Sequence, residues 1–395
     1  MHFYLNAMNS GKYIFYQIIE FINRYEFNKC VKRYDGDLGV RDLNCWNLFL
    51  QLIFGQLTAR NSLRNICLCL ESHSNKLYHL GIKQSVNVSS LSRALEKRDW
   101  RIFADFSEYL IKKVRPLYID EPIKKVNIPN DIYALDSTTI SVSINLLSWA
   151  VGKYSRGAVK VHTLLDLRGN IPTFIHITDG KYHDSNMLDV ILPVKNDIYV
   201  MDKAYIDLKA LYRIHSLEAF FITRAKKNIK YQLVESNFNI DEAIGLRYDR
   251  VIQMLEYKSK LLYPEKLRLI GYYDTEKNEL FEFLTNNFEI TAYEIANLYK
   301  NRWQIEVFFK WIKQNLTIKH LWGHSENAVK THIWIAIISY LLIAYIKKML
   351  DSQYSIYEII QVLGLSVFVK TPIKELITNV QDNQYDYQEP NLFTI

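Results

Sequence analysis

IYALD (132–136) and TTISVS (138–143) are short runs of β-branched and aromatic residues, and they decide the fold class. Runs of this kind predict β-strands. They are followed by AVKVHTLLDL (158–167), PTFIHITDG (172–180), a helix that starts at Asp184 or Ser185, and the apolar strand DIYVMD (197–202). Three strands, a helix and a further strand indicate an α/β domain with a mixed sheet.

The chain on either side of these strands has other patterns. Residues 1 to about 115 have the apolar spacing of helices, and three prolines between 116 and 129 indicate a linker. Residues 219 to about 290 read almost entirely as strands, which predicts a β-rich insertion, and the chain is helical again from Thr291. We therefore predict an α/β protein of several domains, with boundaries at 1–125, 126–217, 218–290, 291–350 and 351–395, the last a helical segment and polar tail.

Positive charge is concentrated in the N-terminal part. The chain is 49% hydrophobic and 23% charged, which is the composition of a globular protein rather than a disordered one. Residues 1–125 hold 19 Lys and Arg against 12 Asp and Glu, whereas the remainder is balanced at 30 and 30. A basic module beside a neutral body suits a protein that grips a polyanion; a merely soluble basic domain is the alternative.

A helix-turn-helix is one interpretation of residues 85–110. Ser89 or Ser90 can cap a helix that begins at Leu91, and its basic residues Arg93, Lys97, Arg98 and Arg101 would be available to phosphates or bases. Any small helical domain with a basic face gives the same pattern, so that alternative stays open.

The cysteines and the apolar segments predict a cytoplasmic protein. Cys30, Cys45, Cys67 and Cys69 form no paired CxxC motif, and we expect reduced thiols. The longest apolar run, residues 333–346, is shorter than a typical membrane span, so we expect a buried core helix there and no membrane partner.

The stretch YKNRWQIEVFFKWIK (299–313) combines a polar stripe with an apolar remainder. On a helix, with Tyr299 at zero, Arg302, Glu306, Lys310 and Lys313 fall at about −60°, −20°, +20° and −40°. The remaining arc is apolar, which predicts a helix buried on most of its circumference. Such a helix presents one carboxylate among three cations and a phenol to a single site.

Three carboxylates stand out by position. Asp136 and Asp202 each end a predicted strand, where α/β proteins form their sites, and Glu306 lies at the centre of the stripe. Three converging carboxylates without Cys or His suit Mg²⁺ or Mn²⁺, and two such ions about 3.5–4 Å apart promote phosphodiester cleavage. The alternatives are plain ones: either aspartate could cap a turn, and Glu306 could form surface ion pairs with Arg302 and Lys310.

These residues resemble a known family, the bacterial DDE transposases of insertion-sequence family four. Tyr299, Arg302, Glu306 and Lys313 reproduce the family signature Y-(2)-R-(3)-E-(6)-K. LDSTTISVS resembles the segment with the first catalytic aspartate, which falls on Asp136, and VMDKAY resembles the second, which falls on Asp202. TDGKYHDSNML, FFITRAKKN with Arg224, and FLTNN are also similar to family segments.

The resemblance implies a ribonuclease H-like core interrupted by a β-rich insertion, with helical segments on both sides. It implies a transposase that binds terminal inverted repeats and target DNA, cleaves and joins DNA with Mg²⁺, and acts as a homodimer in a synaptic complex. Asp136, Asp202 and Glu306 would hold the ions. Tyr299, Arg302, Lys310, Lys313 and Arg224 would contact DNA at the core, and Arg93 and Lys97 would contact the repeats. A bacterial, nucleoid-associated location follows.

Three other functions remain open. A nuclease of the same fold would cleave without strand transfer, and a non-catalytic derivative of a transposase would only bind DNA. A structural protein is the third, and it requires carboxylates too far apart for a pair of metal ions about 4 Å apart to bridge.

Overall fold

The computed structural model describes residues 11–142, 149–150, 157–238, 240–316, 318 and 320–378. The chain divides into two compact units. The first takes its residues from Met1–Phe106, Asn315–Thr317 and Trp334–Ile395, and the second from Ser107–Gln314 and Ile318–Ile333. The polar tail predicted beyond residue 381 lies outside the described residues, and so do residues 143–148.

The second unit contains one nine-stranded sheet. Its strands are β1 Ile132–Val142, β2 Gly157–Asp166, β3 Ile171–Asp179, β4 Ile198–Met201, β5 Phe220–Arg224, β6 Tyr231–Asn237, β7 Leu246–Met254, β8 Leu267–Asp274 and β9 Glu279–Thr285. The spatial order is β3-β2-β1-β4-β5-β9-β8-β7-β6. β4 is parallel to both of its neighbours, β1 and β5, and the other pairs are antiparallel. The mixed α/β architecture is therefore confirmed.

The strands depart from the predictions in two places. Residues 132–136 and 138–143 were predicted as two strands, but β1 is continuous because all of Tyr133–Val142 pairs with β2. The β-rich block at 218–290 contains strands as predicted, but they continue the central sheet. β5 pairs in parallel with β4, and β9 adds β8, β7 and β6 beyond it.

The described residues of both units contain helices. Their bounds are α1 Ile14–Glu20, α2 Arg24–Arg33, α3 Cys45–Leu57, α4 Leu63–Ser72, α5 Val88–Lys97, α6 Arg101–Val114, α7 Met187–Val190, α8 Leu208–Ser216, α9 Tyr257–Leu262, α10 Ala292–Asn301, α11 Trp303–Asn315, α12 Glu326–Met349, α13 Ile356–Ser366 and α14 Ile373–Thr378. The helix predicted to start at Asp184 or Ser185 is shorter than expected. A 3₁₀ turn, Asp184–Asn186, precedes α7, and no side chain caps that turn.

Polar side chains begin most helices of the first unit. The Asn87 side chain accepts the backbone N–H of Ser90 at 2.8 Å, so α5 begins at Val88 instead of at Leu91 as predicted. Asparagine competes well with serine as an N-cap, which explains why the cap lies upstream of Ser89. Four aromatic rings of α3 and α6 lie within 6.2 Å of the ring centre of Phe27 on α2 and form an apolar core with it.

The longest described helix, α12, is a buried core helix. It has 24 residues and a mean hydropathy of 1.7, so its length and composition would allow it to cross a membrane. However, 94% of the apolar stretch of this helix is buried inside the protein. Burial of this kind is typical of the core helix of a globular protein, and it agrees with the prediction for residues 333–346.

Candidate active site

The register of two parallel strands brings Asp136 and Asp202 to neighbouring positions. β1 and β4 pair through the partners Leu135 and Met201, and each aspartate is the next residue of its own chain segment. The two strands run in the same direction, so Asp136 and Asp202 occupy corresponding positions after these partners. Both carboxylates therefore lie at the carboxyl end of β4. β4 ends at that point, whereas β1 continues beside β2 to Val142.

Two consecutive helices, rather than the single helix predicted, carry the polar stripe. α10 ends at Asn301 and α11 begins at Trp303, with Arg302 between them in right-handed helical torsions (φ −51°, ψ −30°). The Arg302 N–H bonds the carbonyl groups of both Leu298 and Tyr299 at 3.2 Å, so the chain continues without a loop. A bifurcated bond of this kind is common where one helix ends.

The apolar side of α11 is buried only in part. Ile305, Phe308, Phe309 and Ile312 are at most 6% exposed, as the sequence predicted. Trp303 and Val307 are exposed by 43% and 37%, so the buried arc is narrower than the apolar arc.

Arg302 joins the first and third predicted carboxylates. One terminal nitrogen, Nη1, donates to Asp136 Oδ2 at 2.8 Å, and the other, Nη2, donates to Glu306 Oε1 at 2.8 Å. The Arg302 side chain is only 11% exposed. A planar guanidinium suits this pair of hydrogen bonds because its N–H donors are fixed in a fork. The sequence left open a surface ion pair between Glu306 and Arg302. In the structure, the largely buried Arg302 side chain connects Glu306 to Asp136 on β1.

The pKa values follow from this burial. Burial raises the pKa of Asp136 to about 6, even though Arg302 and the backbone N–H of Ser137 favour the ionised form. The negative charges of Glu306 and Asp202 raise it further. Burial lowers the pKa of Arg302, but Asp136, Tyr299 and Glu306 outweigh this effect and the pKa is raised overall. The guanidinium therefore remains charged.

Asp202 lies close enough to share the electrostatics of the site. Its carboxylate raises the pKa values of Asp136, Tyr205 and Tyr299, although burial is the larger cause for each group. The same carboxylate accepts the backbone N–H of Ala204 at 3.0 Å and caps the following turn. Asp202 therefore caps a turn, as the sequence left open, and it also contributes its charge to the site.

Tyr299 packs between the sheet and the bridge. Its ring centre lies 4.7 Å from that of Phe283 on β9, and the Arg302 guanidinium lies 5.6 Å from the ring. Burial raises the pKa of Tyr299, so the phenol stays neutral. The ring thereby supports Arg302 at the junction of the two helices.

A cleft of about 420 Å³ opens over these residues. Asp136 and Glu306 line it together with Lys310 and Lys313, so both lysines of the stripe face the same space as the two carboxylates. Lys310 is exposed and Lys313 is half-buried. The lining also includes residues that the sequence did not single out, namely Ser137, Thr138, Phe309 and Gln314.

The donor set suits a hard divalent cation, but the side chains do not yet form a site for one. Within the part of the chain that the structure describes, no group of three or more His, Cys, Asp or Glu side chains could hold a metal ion. The Arg302 guanidinium instead bonds two of the three acids, Asp136 and Glu306, at once. It supplies the positive charge that a cation between these acids would otherwise bring.

Arg224 lies near Tyr299 but does not line the cleft. It forms an ion pair with Glu279, and its guanidinium lies 4.6 Å from the centre of the Phe281 ring. Its charge acts on Tyr299, where it favours the ionised phenol.

Arg93 and Lys97 lie in the first unit, on α5, and both are exposed. They line a second cleft of about 630 Å³ together with Arg41 and Arg98. Arg98 donates to the Leu43 carbonyl at 3.0 Å, so this arginine also fixes the wall of the cleft. The predicted basic helix therefore faces a groove, and its role in DNA binding stays a prediction.

Comparison with known proteins identifies the second unit's family. The model of the transposase DDE domain matches residues 128–342, and a domain of unknown function matches residues 10–83. The transposase DDE match covers the nine strands and the helices α10 and α11, including Asp136, Asp202 and Glu306.

Curated relatives carry the same name. The chain is 28% identical over 231 residues to a protein named as a transposase for insertion sequence element IS5377 in Geobacillus stearothermophilus. It is 31% identical over 211 residues to one named transposase y4zB in Sinorhizobium fredii, and 28% over 264 residues to one named for element IS4SA in Synechocystis. These alignments cover 58%, 53% and 66% of this chain and 60%, 59% and 72% of the relatives.

A solved structure, the piggyBac transposase synaptic complex with hairpin DNA, aligns with 93% of this chain and 81% of its own, at a TM-score of 0.47 and 11% identity. The family assignment rests on the sequence match across residues 128–342, which is more than half of the chain. This chain belongs to the transposase DDE domain family.

Proposed function

We propose that this protein is the transposase of a DNA insertion sequence, which binds the terminal inverted repeats and catalyses metal-dependent cleavage and strand transfer. The carrying observation is the junction of the parallel strands β1 and β4 with α11. Asp136 and Asp202 follow partnered residues of the two strands, and Arg302 ties Glu306 to Asp136.

We further propose the finer assignment to insertion-sequence family four. The spacing of Tyr299, Arg302, Glu306 and Lys313 supports it, and so does the ordering β3-β2-β1-β4-β5, which agrees with a ribonuclease H-like core. In this proposal residues 126–217 and 291–350 form the core, 218–290 its insertion, and 351–395 the C-terminal segment.

Asp136, Asp202 and Glu306 are the proposed ligands of Mg²⁺, with Mn²⁺ as a substitute. DDE transposase domains depend on divalent metal ions in general. A bound divalent cation would supply Lewis-acid activation of the attacking oxygen and neutralise charge at the leaving oxygen. The chain's own part is to keep Asp136 ionised against its burial and to exclude bulk water with Phe309.

The cations of the cleft hold DNA in this proposal. Lys310 and Lys313 face the carboxylates across the cleft, where a phosphate backbone would neutralise them. Arg302, once it releases a carboxylate, has a fork of donors that matches a phosphate. Tyr299 lies beside Arg302, and its phenol would donate a hydrogen bond to a phosphate oxygen. Arg224, whose charge acts on Tyr299, would contact the same DNA from outside the cleft.

The helical, basic residues 1–125 are proposed to bind the terminal repeats through Arg93 and Lys97. The partners are therefore double-stranded DNA, both at the element ends and at the target, and a second copy of the chain in a synaptic homodimer. The proposed location is the bacterial cytoplasm, at the nucleoid.

A duplex that ends in the element's own repeats tests this proposal. We expect the protein to nick the repeat boundary with Mg²⁺ and not with a chelator, and to join a pre-cut end to target DNA. The matched control is Asp189→Asn, because Asp189 is 73% exposed in an ion pair with Arg213. Cleavage without joining would favour the nuclease, and Asp136→Asn without any effect would favour a DNA-binding derivative.

A further inference from the structure

Asp184 reaches the active-site strand from the face of the sheet opposite to Asp136. Successive side chains of a strand point to opposite faces, so Ser137 faces away from the neighbouring Asp136. On that far face the Ser137 hydroxyl donates to Asp184 Oδ1 at 2.7 Å. The two residues are 47 positions apart in the sequence, and Asp184 belongs to the 3₁₀ turn before α7.

A buried lysine holds the same carboxylate oxygen. Lys160 Nζ on β2 donates to Asp184 Oδ1 at 3.1 Å and to the Tyr182 carbonyl at 2.9 Å. The Lys160 side chain is 15% exposed and that of Asp184 is 26% exposed, so this ion pair is shielded from solvent. Asp184 is thus bonded to β1 and to β2 at once.

His162 completes the environment of Asp184 without adding charge. It is fully buried, its Nε2 lies 2.9 Å from Thr178 Oγ1, and its Nδ1 lies 3.7 Å from Asp184 Oδ1. Burial lowers the pKa of His162 to about 4, so the ring is neutral near pH 7. Lys160 therefore supplies the positive charge opposite Asp184.

The buried Tyr205 connects this cluster to the carboxylates of the site. It is 1% exposed, and burial is the main cause of its raised pKa. The charges of Asp136, Asp184 and Asp202 each raise the pKa of Tyr205 further, so this buried phenol is coupled electrostatically to all three carboxylates.

β1 has one neighbouring strand fewer beyond Leu135. β1 loses its parallel neighbour after Leu135, because β4 ends at the partnered Met201. Among the strands that the structure describes, β2 alone pairs with β1 from Asp136 onward. The sequence suggested that Asp184 or Ser185 caps a helix, but no side-chain cap is present, and the Asp184 carboxylate accepts a hydrogen bond from Ser137, beyond the point where β1 loses β4 as a neighbour.

We propose that Asp184 is a positioning residue for the reaction, which holds the Ser137 hydroxyl and so fixes the direction of the adjacent Asp136 carboxylate. This inference rests on the proposed DNA cleavage, because a fixed carboxylate matters only if it takes part in the chemistry. A displacement of about 1 Å at a reacting group reduces rates by roughly a hundredfold.

Four variants test the proposal. Ser137→Ala removes the hydroxyl, Ser137→Thr retains it, Asp184→Asn removes the charge that holds Lys160, and the fourth combines Ser137→Ala with Asp184→Asn. The matched controls are Thr139→Ala, the exposed hydroxyl two residues further along the same strand, and Asp189→Asn on α7. Each protein is measured for kcat and KM of cleavage, and for hydrogen exchange of the peptide that covers residues 136–140.

We expect Ser137→Ala and Asp184→Asn each to lower kcat by about 10- to 100-fold at an unchanged KM. The double variant should be no slower than the slower single variant, because Ser137→Ala already removes the hydrogen bond through which Asp184 acts on Asp136. Ser137→Thr should recover most of kcat, and exchange at 136–140 should rise in Ser137→Ala and Asp184→Asn but not in the controls. A merely structural role would lower stability without this rescue or this change of kcat.

The proposal is wrong if Ser137→Ala and Asp184→Asn match the controls in rate and in exchange, or if their effects on kcat multiply in the double variant. A wild-type protein that does not cleave would instead remove the proposed function. In that case hydrogen exchange of residues 136–140 still tests whether Asp184 restrains β1, because this measurement requires no enzymatic activity.

Discussion

Arg302, at the junction of α10 and α11, donates a 2.8 Å hydrogen bond to Asp136, 166 positions earlier in the chain. The same guanidinium holds Glu306, so a cation that binds both carboxylates must displace it. Arg302 would then be available to a DNA phosphate. The hydrogen bonds of Arg302 therefore stabilise the site without a cation, and the proposed function requires that they break.

Replacing Arg302 should cost stability. Arg302→Ala leaves two partly buried carboxylates without their shared partner, and we expect the free energy of unfolding at pH 7 to fall by about 3 kcal/mol. Arg302→Lys keeps the charge but cannot hold both acids in one plane, so it should restore only part of this loss. Denaturant unfolding measures both.

The control for this measurement is Lys230→Ala, which breaks an exposed ion pair with Glu256 and should change little. An Arg302→Ala protein as stable as this control would show that the bridge does not hold the site together.

The raised pKa of Asp136 predicts a pH dependence of stability. Its pKa is about 6 in the folded protein against a reference value of 3.8, so the folded state binds this proton more tightly than the unfolded state. The corresponding stability is present below pH 4 and is lost as pH rises through about 6. Relative to Asp136→Asn, the wild type should lose up to about 3 kcal/mol between pH 4 and pH 7.

Unfolding of both proteins with a chelator present, at several pH values, measures this difference. A difference that stays constant, or that grows in favour of the wild type as pH rises, would contradict the buried state of Asp136.

The sequence predicted the elements of the site better than their connections. The strand pattern located Asp202 correctly, directly after the last residue of β4, but the prediction that Asp136 ends a strand is wrong because β1 continues past it to Val142. Their adjacency depends on the pairing of Leu135 with Met201, which is a tertiary register. The Arg302 bridge likewise depends on a side-chain direction that helical spacing does not determine.

Asp184 shows the same limit more clearly. Its position before a helix predicted a cap, which is the usual use of aspartate there. Its carboxylate instead bonds Ser137 and Lys160 on two strands. The sequence signal that could have found it was the TDGKYHDSNML resemblance, which indicated a role without showing what it was.

Lys310 and Lys313 should contribute to DNA affinity through phosphates. Each alanine variant should weaken binding of any duplex and reduce the slope of log affinity against log salt by about 0.9. Lys266→Ala is the control, because Lys266 is exposed and does not line the cleft. Fluorescence anisotropy at several salt concentrations measures the slope, and equal slopes for all three variants would exclude Lys310 and Lys313 from the interface.

Arg93 and Lys97 should contribute to recognition of the element's ends. Because both line the groove of the first unit, Arg93→Ala with Lys97→Ala should weaken binding of a repeat-ended duplex at least tenfold, or about 1.4 kcal/mol. Lys32→Ala on α2 is the control, since Lys32 is exposed and does not line that groove. If the double variant binds the repeats as Lys32→Ala does, repeat recognition lies elsewhere.

The central claim is that Asp136, Asp202 and Glu306 form one cation site once Arg302 releases Asp136 and Glu306. A crystal structure with Mn²⁺ and element-end DNA, phased to show the anomalous signal of manganese, tests it most directly. The account predicts manganese bound by all three carboxylates at about 2.0–2.3 Å, with Arg302 turned toward a phosphate. Manganese bound elsewhere, or an Arg302 bridge that persists at saturating Mn²⁺, would contradict it.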